Sequence, residues 1–190
     1  IFEKIAEGSY LKVTAAVSEY NGKPQLTIKK AVLAKPAEYE IADFIRHTKK
    51  DIAEMYANIT GVIATIHDPD YKRLIDAFFG DAEFVQKFKK APAAVNMHSA
   101  CIGGLLEHVD NVLALALFVA EQYPEINRDL LLVGVILHDM GKIRELEYEH
   151  VLKYTDQGKL VGHITIGVLM LQEKISTLPD FPAEKQMLLE

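Results

Sequence analysis

Apolar residues change their period near residue 43. Upstream of it they alternate. In residues 9–20, Leu11, Val13, Ala15 and Val17 share one face, and a repeat of two marks a strand with one covered side. Asn21-Gly22 comes next, a pair that tolerates positive φ and favours a two-residue hairpin turn. Residues 24–33 alternate again through Leu26 and Ile28, with Ala31/Leu33 as the continuation. The pattern predicts a β-hairpin. A lone hairpin is marginal in water, so it either packs on the downstream chain or is the remnant of a larger β-domain. Residues 34–42 read as the connector.

Downstream, the period becomes helical. Ile52, Met55, Tyr56, Ile59, Ile63 and Ile66 recur at spacings of three and four and predict a helix over 48–66. Asp68-Pro69 stops and restarts the chain, with Asp68 as N-cap and Pro69 in the first helical position. The next helix, 70–79, ends at Gly80, and another covers 81–90, closed by Pro92. Residues 99–123 predict a long helix with Leu105, His108, Val112, Leu115 and Val119 on one face. Asn127 caps a further helix that runs through Asp139 and stops at Gly141. Residues 148–160 read as a polar excursion with a turn at Asp156-Gln157-Gly158. Helices over 163–176 and 182–190 complete a mainly α chain: an all-α body behind a β segment, with no internal repeat.

Composition narrows the classes. Apolar residues make up 49% and charged residues 25%, the balance of a globular protein, which excludes a disordered tail or a collagen-like repeat. The longest uncharged apolar runs, 112–120 and 130–137, fall far short of the ~20 residues that span a bilayer. Cys101 is the single cysteine, so no internal disulfide or cysteine-based zinc finger forms, and a reducing cytoplasm suits the chain. The chain starts at Ile1 and stops inside a predicted helix, and is read as a piece of a longer protein. Its net charge of −6 is uneven, because residues 101–190 carry 7 Lys/Arg against 14 Asp/Glu. An acidic half is a poor partner for phosphates unless it holds a cation. Five of the seven histidines lie between His98 and His163.

Residues 130–137 are apolar all round, which predicts burial on every side, and His138-Asp139 comes directly after. A carboxylate there needs something positive beside it. Either a divalent cation shared with His138 supplies it, or Asp139 simply pairs with Lys142 or Arg144. His108 precedes His138 by thirty residues, the length of a helix, a turn and a second helix, so antiparallel neighbours would bring the two together. Neutral imidazole with carboxylate suits Mn, Fe, Zn or Ni better than Mg or Ca. His163 opens its helix near the apolar face and would extend the site to a second ion bridged by Asp139. Two adjacent ions clamp an in-line phosphoryl displacement. Lys142 reads either as a phosphate contact or as a cation at a helix end. His98 reads equally as a surface histidine or as a phosphate donor. His150 reads as a solvated loop residue and Cys101 as a small buried side chain. Lys49/Lys50 and Lys87/Lys89/Lys90 read as solvated helix faces, although a phosphate backbone would be drawn to them.

His108…His138-Asp139-Met140-Gly141-Lys142 resembles the signature of the HD superfamily of metal-dependent phosphohydrolases. Gly103-Gly104-Leu105-Leu106-Glu107-His108, Asn127-Arg128-Asp129-Leu130-Leu131 and Gly162-His163-Ile164-Thr165-Ile166-Gly167 narrow the resemblance to the bacterial YhaM-type 3′→5′ exoribonucleases, which place an OB-fold before an HD domain. Residues 20–26 are similar to the closing hairpin of that OB-fold, and Asp43-Phe44-Ile45 to its exit. The resemblance implies residues 1–42 as a partial OB-fold segment and 43–190 as an HD domain truncated at its C-terminus, with a further His-containing segment and a closing Asp beyond Glu190. It implies His108, His138 and Asp139 as metal ligands and His163 as ligand of a second ion. Asp139 and Lys142 would be the catalytic pair, with Lys142 on the scissile phosphate.

The expected function is metal-dependent cleavage of single-stranded RNA, with single-stranded DNA left open, from the 3′ end to nucleoside monophosphates by attack of metal-bound hydroxide. One or two ions are expected, Mn first among Mn, Fe, Zn and Ni. Substrate would be met by Lys142, His98 and Tyr20, the last stacking in the OB segment beside Tyr10. The alternatives are an HD phosphohydrolase of a small nucleotide or cyclic dinucleotide, and a non-catalytic nucleic-acid-binding regulator. No membrane contact is expected, and assembly into a homo-oligomer stays open.

Overall fold

The computed structural model describes residues 5–6, 8–40, 43–95, 100–149 and 151–190. The chain divides into two compact units, Ile1–Ile45 and Arg46–Glu190.

The first unit is an antiparallel hairpin of β1 (Leu11–Tyr20) and β2 (Lys23–Leu33). Asn21 and Gly22 turn the chain with φ of 51° and 73°, the left-handed geometry such a turn demands. Pairing sets Leu11 opposite Leu33, Val13 opposite Ala31, Ala15 opposite Ile28 and Val17 opposite Leu26. These pairs give one wholly apolar face. The alternation in β2 would break between Ile28 and Ala31, but the register shifts there and leaves Lys29 unpaired. The bulge restores both residues to the same face. That face is open to solvent at Val17 (78% exposed) and Leu26 (65%).

The second unit is helical: α1 (Ile52–Ile63), α2 (Pro69–Phe79), α3 (Ala82–Lys90), α4 (Gly104–Gln122), α5 (Arg128–Leu137), α6 (Lys142–Glu145), α7 (Asp156–Val161), α8 (His163–Ile175) and α9 (Ala183–Leu189). A two-residue hairpin, β3 (Leu146–Glu147) with β4 (Lys153–Tyr154), sits between α6 and α7. No described helix is long and apolar enough to cross a membrane. One core joins Met55, Ile59 and Ile63 of α1 to Leu74 and Phe78 of α2, Leu105 and Val109 of α4, Leu132 and Ile136 of α5, and Ile166 and Met170 of α8.

Side-chain caps explain where the helices start. Asp51 accepts from the amides of Ala53 and Glu54, Asp68 from Asp70 and Tyr71, Asp81 from Glu83 and Phe84, and Asn127 from Leu130. The first helix therefore begins at Ile52 and not at 48. Thr48 turns aside and its hydroxyl donates to Glu107 Oε2 at 2.5 Å. The long helix begins at Gly104, and residues 100–103 lie outside it. Ile102 bridges to His47, and Gly103 takes a φ of +79°. A Cβ on Gly103 would come within 2.6 Å of Ile52 and 2.8 Å of Thr48, so this connector lies flush on the start of α1.

Arg128 and Asp129 clip α5 to the α1–α2 loop. Arg128 donates to Thr65 O and Oγ1, and Asp129 Oδ2 accepts the amides of His67 and Asp68. Two apolar expectations shift. The buried face of α4 is Leu105, Leu106, Val109, Leu113 and Ala116, whereas Leu115 is 66% exposed. In α5, Leu132, Val133, Ile136 and Leu137 are buried, whereas Leu130, Leu131 and Val135 are only partly so. That helix keeps one flank beside an open cleft. The expected turn at 156–158 is the first turn of α7, capped by Thr155 Oγ1.

Candidate metal centre

The end of α5 meets the start of α4, as antiparallel neighbours do, and two histidines face each other there. His108 Nε2 lies 3.2 Å from His138 Nε2. Asp139, buried at the helix end, places Oδ2 3.4 Å from His108 Nε2 and 3.3 Å from His138 Nε2. Lys142, one turn on, donates to the same oxygen at 2.7 Å. The other oxygen, Oδ1, faces His163 Nε2 at 3.5 Å. One carboxylate thus reaches three imidazoles and an ammonium.

Glycine permits this convergence. Gly141 comes directly after Met140, and a Cβ there would stand 1.9 Å from the His163 carbonyl oxygen and 2.7 Å from the Gly167 amide. Only a hydrogen side chain lets the first turn of α8 close on the start of α6 and carry His163 to Asp139.

Second partners fix the tautomers. His138 Nδ1 lies 2.8 Å from the Val135 carbonyl oxygen, which can only accept. The proton of the neutral ring is therefore on Nδ1, and Nε2 offers a lone pair. His163 Nδ1 lies 3.0 Å from Glu145 Oε1, so its Nε2 is free in the same way. Burial alone would push the Asp139 carboxyl upward. Hydrogen bonds and charge from His138 and Lys142 overcome that and hold it well below the usual carboxylate range. Asp139 also favours the doubly protonated His138 ring, whose Nε2–H would donate to it, and so raises His138 above the ordinary imidazole value; burial lowers His108.

The donor set fits a divalent ion. His108, His138 and Asp139 present two ring nitrogens and a carboxylate oxygen 3.2–3.4 Å apart. Ligands about 2.1 Å from one ion stand roughly 3.0–3.4 Å from each other. Three acceptors at that spacing repel unless a cation or a proton lies among them. Mixed imidazole and carboxylate suit a first-row transition metal. The cluster opens into a cleft of about 690 Å³ between α5, α8 and α9, walled by side chains such as Leu131, Val135 and Val168.

The structure thus brings together five of the seven residues singled out from sequence: His108, His138, Asp139, Lys142 and His163. Of the two expectations for Asp139, the structure shows the pairing with Lys142, and it sets the same carboxylate against the imidazoles. Arg144 turns away to Glu173 at 2.7 Å. Tyr20 belongs to the hairpin unit and is 66% exposed. His98 lies outside the described residues.

Glu145 is a participant that the sequence pattern does not single out. It is buried, and its Oε1 accepts both the backbone amide and Nδ1–H of His163, each at 3.0 Å. Its carbonyl oxygen accepts the amide and hydroxyl of Thr155, and a Cβ on Gly158 would come within 2.3 Å of it. The one sequence signal is a charge set between Ile143 and Leu146, both core residues. Where a histidine holds a metal, removing such an outer partner costs about 10- to 100-fold in metal affinity. Glu145→Ala is accordingly expected to weaken Mn²⁺ binding by that range in a calorimetric titration. Wild-type affinity in the variant would show that His163 needs no such support.

Residues 105–181 match the HD domain family. The 3′-5′ exoribonuclease YhaM of Geobacillus sp. (strain WCH70) is 38% identical over 161 residues, which is 84% of this chain and 49% of that protein. YhaM of Oceanobacillus iheyensis is 34% identical over 167 residues, 87% and 52% of the two chains. YhaM of Bacillus subtilis (strain 168) is 34% identical over 174 residues, 91% and 55%. The chain thus spans about half the length of these curated relatives. No solved structure matches it. The family match and these likenesses agree: the chain is an HD-domain protein, homologous over most of its length to the YhaM 3′-5′ exoribonucleases.

Proposed function

We propose that the full-length protein is a metal-dependent phosphodiesterase of the cytoplasm that shortens single-stranded RNA from its 3′ end and releases nucleoside monophosphates. The observation that carries this is the meeting of His108, His138 and Asp139 donor atoms within 3.4 Å in a chain homologous to exoribonucleases. In this reading His108, His138 and Asp139 hold a divalent transition ion, Mn before Fe, Zn or Ni. Asp139 Oδ1 and His163 Nε2 hold a second. Such ions supply Lewis acidity toward a phosphodiester and activate water at neutral pH.

The protein's own groups prepare the site. Val135 O and Glu145 Oε1 keep the protons of His138 and His163 on Nδ1, so that both Nε2 atoms stay available. Lys142, its side chain 15% exposed, fixes Asp139 and steadies negative charge on the phosphate. The hairpin unit, read as part of an OB-fold over residues 1–42, offers Tyr20 to a base. His98 is proposed to donate to the phosphate.

The test compares a 5′-labelled oligoribonucleotide, the same strand blocked at its 3′ end, and a panel of mononucleotides and cyclic dinucleotides. With Mn²⁺, the free strand is expected to shorten stepwise from the 3′ end and the blocked strand to persist. Chelation is expected to stop the reaction and added Mn²⁺ to restore it. Turnover confined to the small nucleotides would remove the exoribonuclease reading and leave a hydrolase of another substrate.

A further inference from the structure

We propose that the helical unit carries its own docking site for the phosphate backbone of a single-stranded nucleic acid, formed where two basic segments flank the connector into α4. The inference rests on the reading of the protein as a phosphodiesterase of single strands and places a second contact outside its metal centre.

The segments are Arg46-His47-Thr48-Lys49-Lys50 and Lys87-Phe88-Lys89-Lys90. Together they hold six Lys/Arg and no Asp/Glu, in a chain whose net charge is −6. Backbone hydrogen bonds tie them to either side of residues 102–105. Ile102 N donates to Arg46 O at 2.8 Å and Thr48 N to Ile102 O at 2.9 Å. On the other side Gly103 N donates to Lys90 O at 3.0 Å and Leu105 N to Ala91 O at 2.9 Å. The absence of a side chain at Gly103 allows this seating. Two stretches forty residues apart thus share one fixed surface.

A pocket of about 320 Å³ lies there. Ile52 and Ile102 give it apolar lining, and His47, Gln86, Lys89 and Lys90 supply polar and cationic groups. Lys89 Nζ is held 3.5 Å from the centre of the Tyr56 ring, which orients the cation before any ligand arrives. Lys50 is occupied by Asn111 and Asp110, and Lys87 by Glu83. Arg46, Lys49, Lys89 and Lys90 have no carboxylate partner among the described residues. Cations left unpaired beside an apolar hollow are the arrangement that single strands use, phosphates on the charges and a base against the hollow.

The basic segment beside the pocket also contacts the helix that carries His108. Thr48 bonds Glu107, the neighbour of His108, and Lys50 bonds Asn111, three residues further on. From Ile102 to His108 is six residues, on the order of 10 Å at helical rise. A strand of a few nucleotides bridges that span.

The probe is a short fluorescein-labelled oligouridylate, titrated by anisotropy with full-length protein in EDTA between about 50 and 200 mM salt. K89Q/K90Q is expected to bind roughly tenfold more weakly at the low end, and its slope of log K against log salt to fall by about 0.7 for each lysine lost. Q86E removes no cation and adds a charge at the same pocket; it is expected to weaken binding with an unchanged melting temperature. K72Q, on the exposed face of α2, is expected to bind like wild type. A wild-type protein that binds in EDTA and shortens the oligonucleotide once Mn²⁺ replaces the chelator, while both pocket variants keep its affinity and slope, overturns the docking site alone. A wild-type protein that neither binds it in EDTA nor shortens it in Mn²⁺ overturns the docking site together with the phosphodiesterase reading.

Discussion

Asp139→Ala is expected to reduce metal-dependent cleavage of an oligoribonucleotide by about a thousandfold in the full-length protein. A metal centre contributes several kcal/mol of transition-state stabilisation, and roughly 1.4 kcal/mol is tenfold in rate. Alanine removes the oxygen that lies within 3.4 Å of both His108 and His138, and the second oxygen that faces His163. It also strands the Lys142 ammonium, whose side chain is only 15% exposed. Asp139→Asn separates charge from shape. Its carbonyl can still accept from Lys142, but it brings no negative charge to an ion. The asparagine variant is therefore expected to fold like wild type and to lose nearly as much activity as the alanine. His138→Ala is expected to fall with it. If Asp139→Ala and His138→Ala both retain wild-type turnover in Mn²⁺, the cluster is not where the chemistry happens.

Gly141→Ala carries the second large effect, and its cause is steric. The new Cβ would stand 1.9 Å from one backbone atom of α8 and 2.7 Å from another. Neither can swing away as the tip of a side chain would. The start of α8 must retreat by about 1 Å or more, and His163 goes with it. Overpacking of this kind costs about 3 kcal/mol, at the upper end of the usual range. A displacement of about 1 Å at a reacting centre costs about a hundredfold in rate. The urea midpoint is expected to fall at constant m-value, with activity lost even where the variant is fully folded. Gly61→Ala serves as the comparison, since a Cβ within α1 at that position meets nothing within 4 Å. It is expected to stabilise by about 0.5–1 kcal/mol. A Gly141→Ala variant with the wild-type midpoint and rate would mean that the two helices do not need this contact.

Much of this is legible in the residues because it depends on local rules. Asp68 and Asn127 announce helix starts through side-chain acceptors placed before an apolar period, and both cap as expected. The thirty residues between His108 and His138 measure out a helical pair. The features that escape the sequence depend on contacts between distant segments. The face of α4 that is buried lies one position away from the stripe chosen by hydropathy, because both stripes are apolar and only the packing of α1 and α5 selects between them. Glu145 looks like one more charge in a polar stretch. Its role depends on a histidine eighteen residues later, which no short-range pattern reports. Gly158 reads as a turn glycine, but it is required by the Glu145 backbone pressed against it. In β2 the alternation falters at Lys29 because a bulge, invisible to a strict repeat of two, carries the extra residue.

Asp139 stands at a junction where four side chains from α4, α5, α6 and α8 share one acceptor group. Substitutions at positions 108, 138, 142 and 163 therefore interact, and their effects do not sum. Once the shared carboxylate is gone, a second change among these four has little left to remove. Epistasis of this sort ties the four positions into one heritable unit, so that drift at any of them is constrained by the state of the other three.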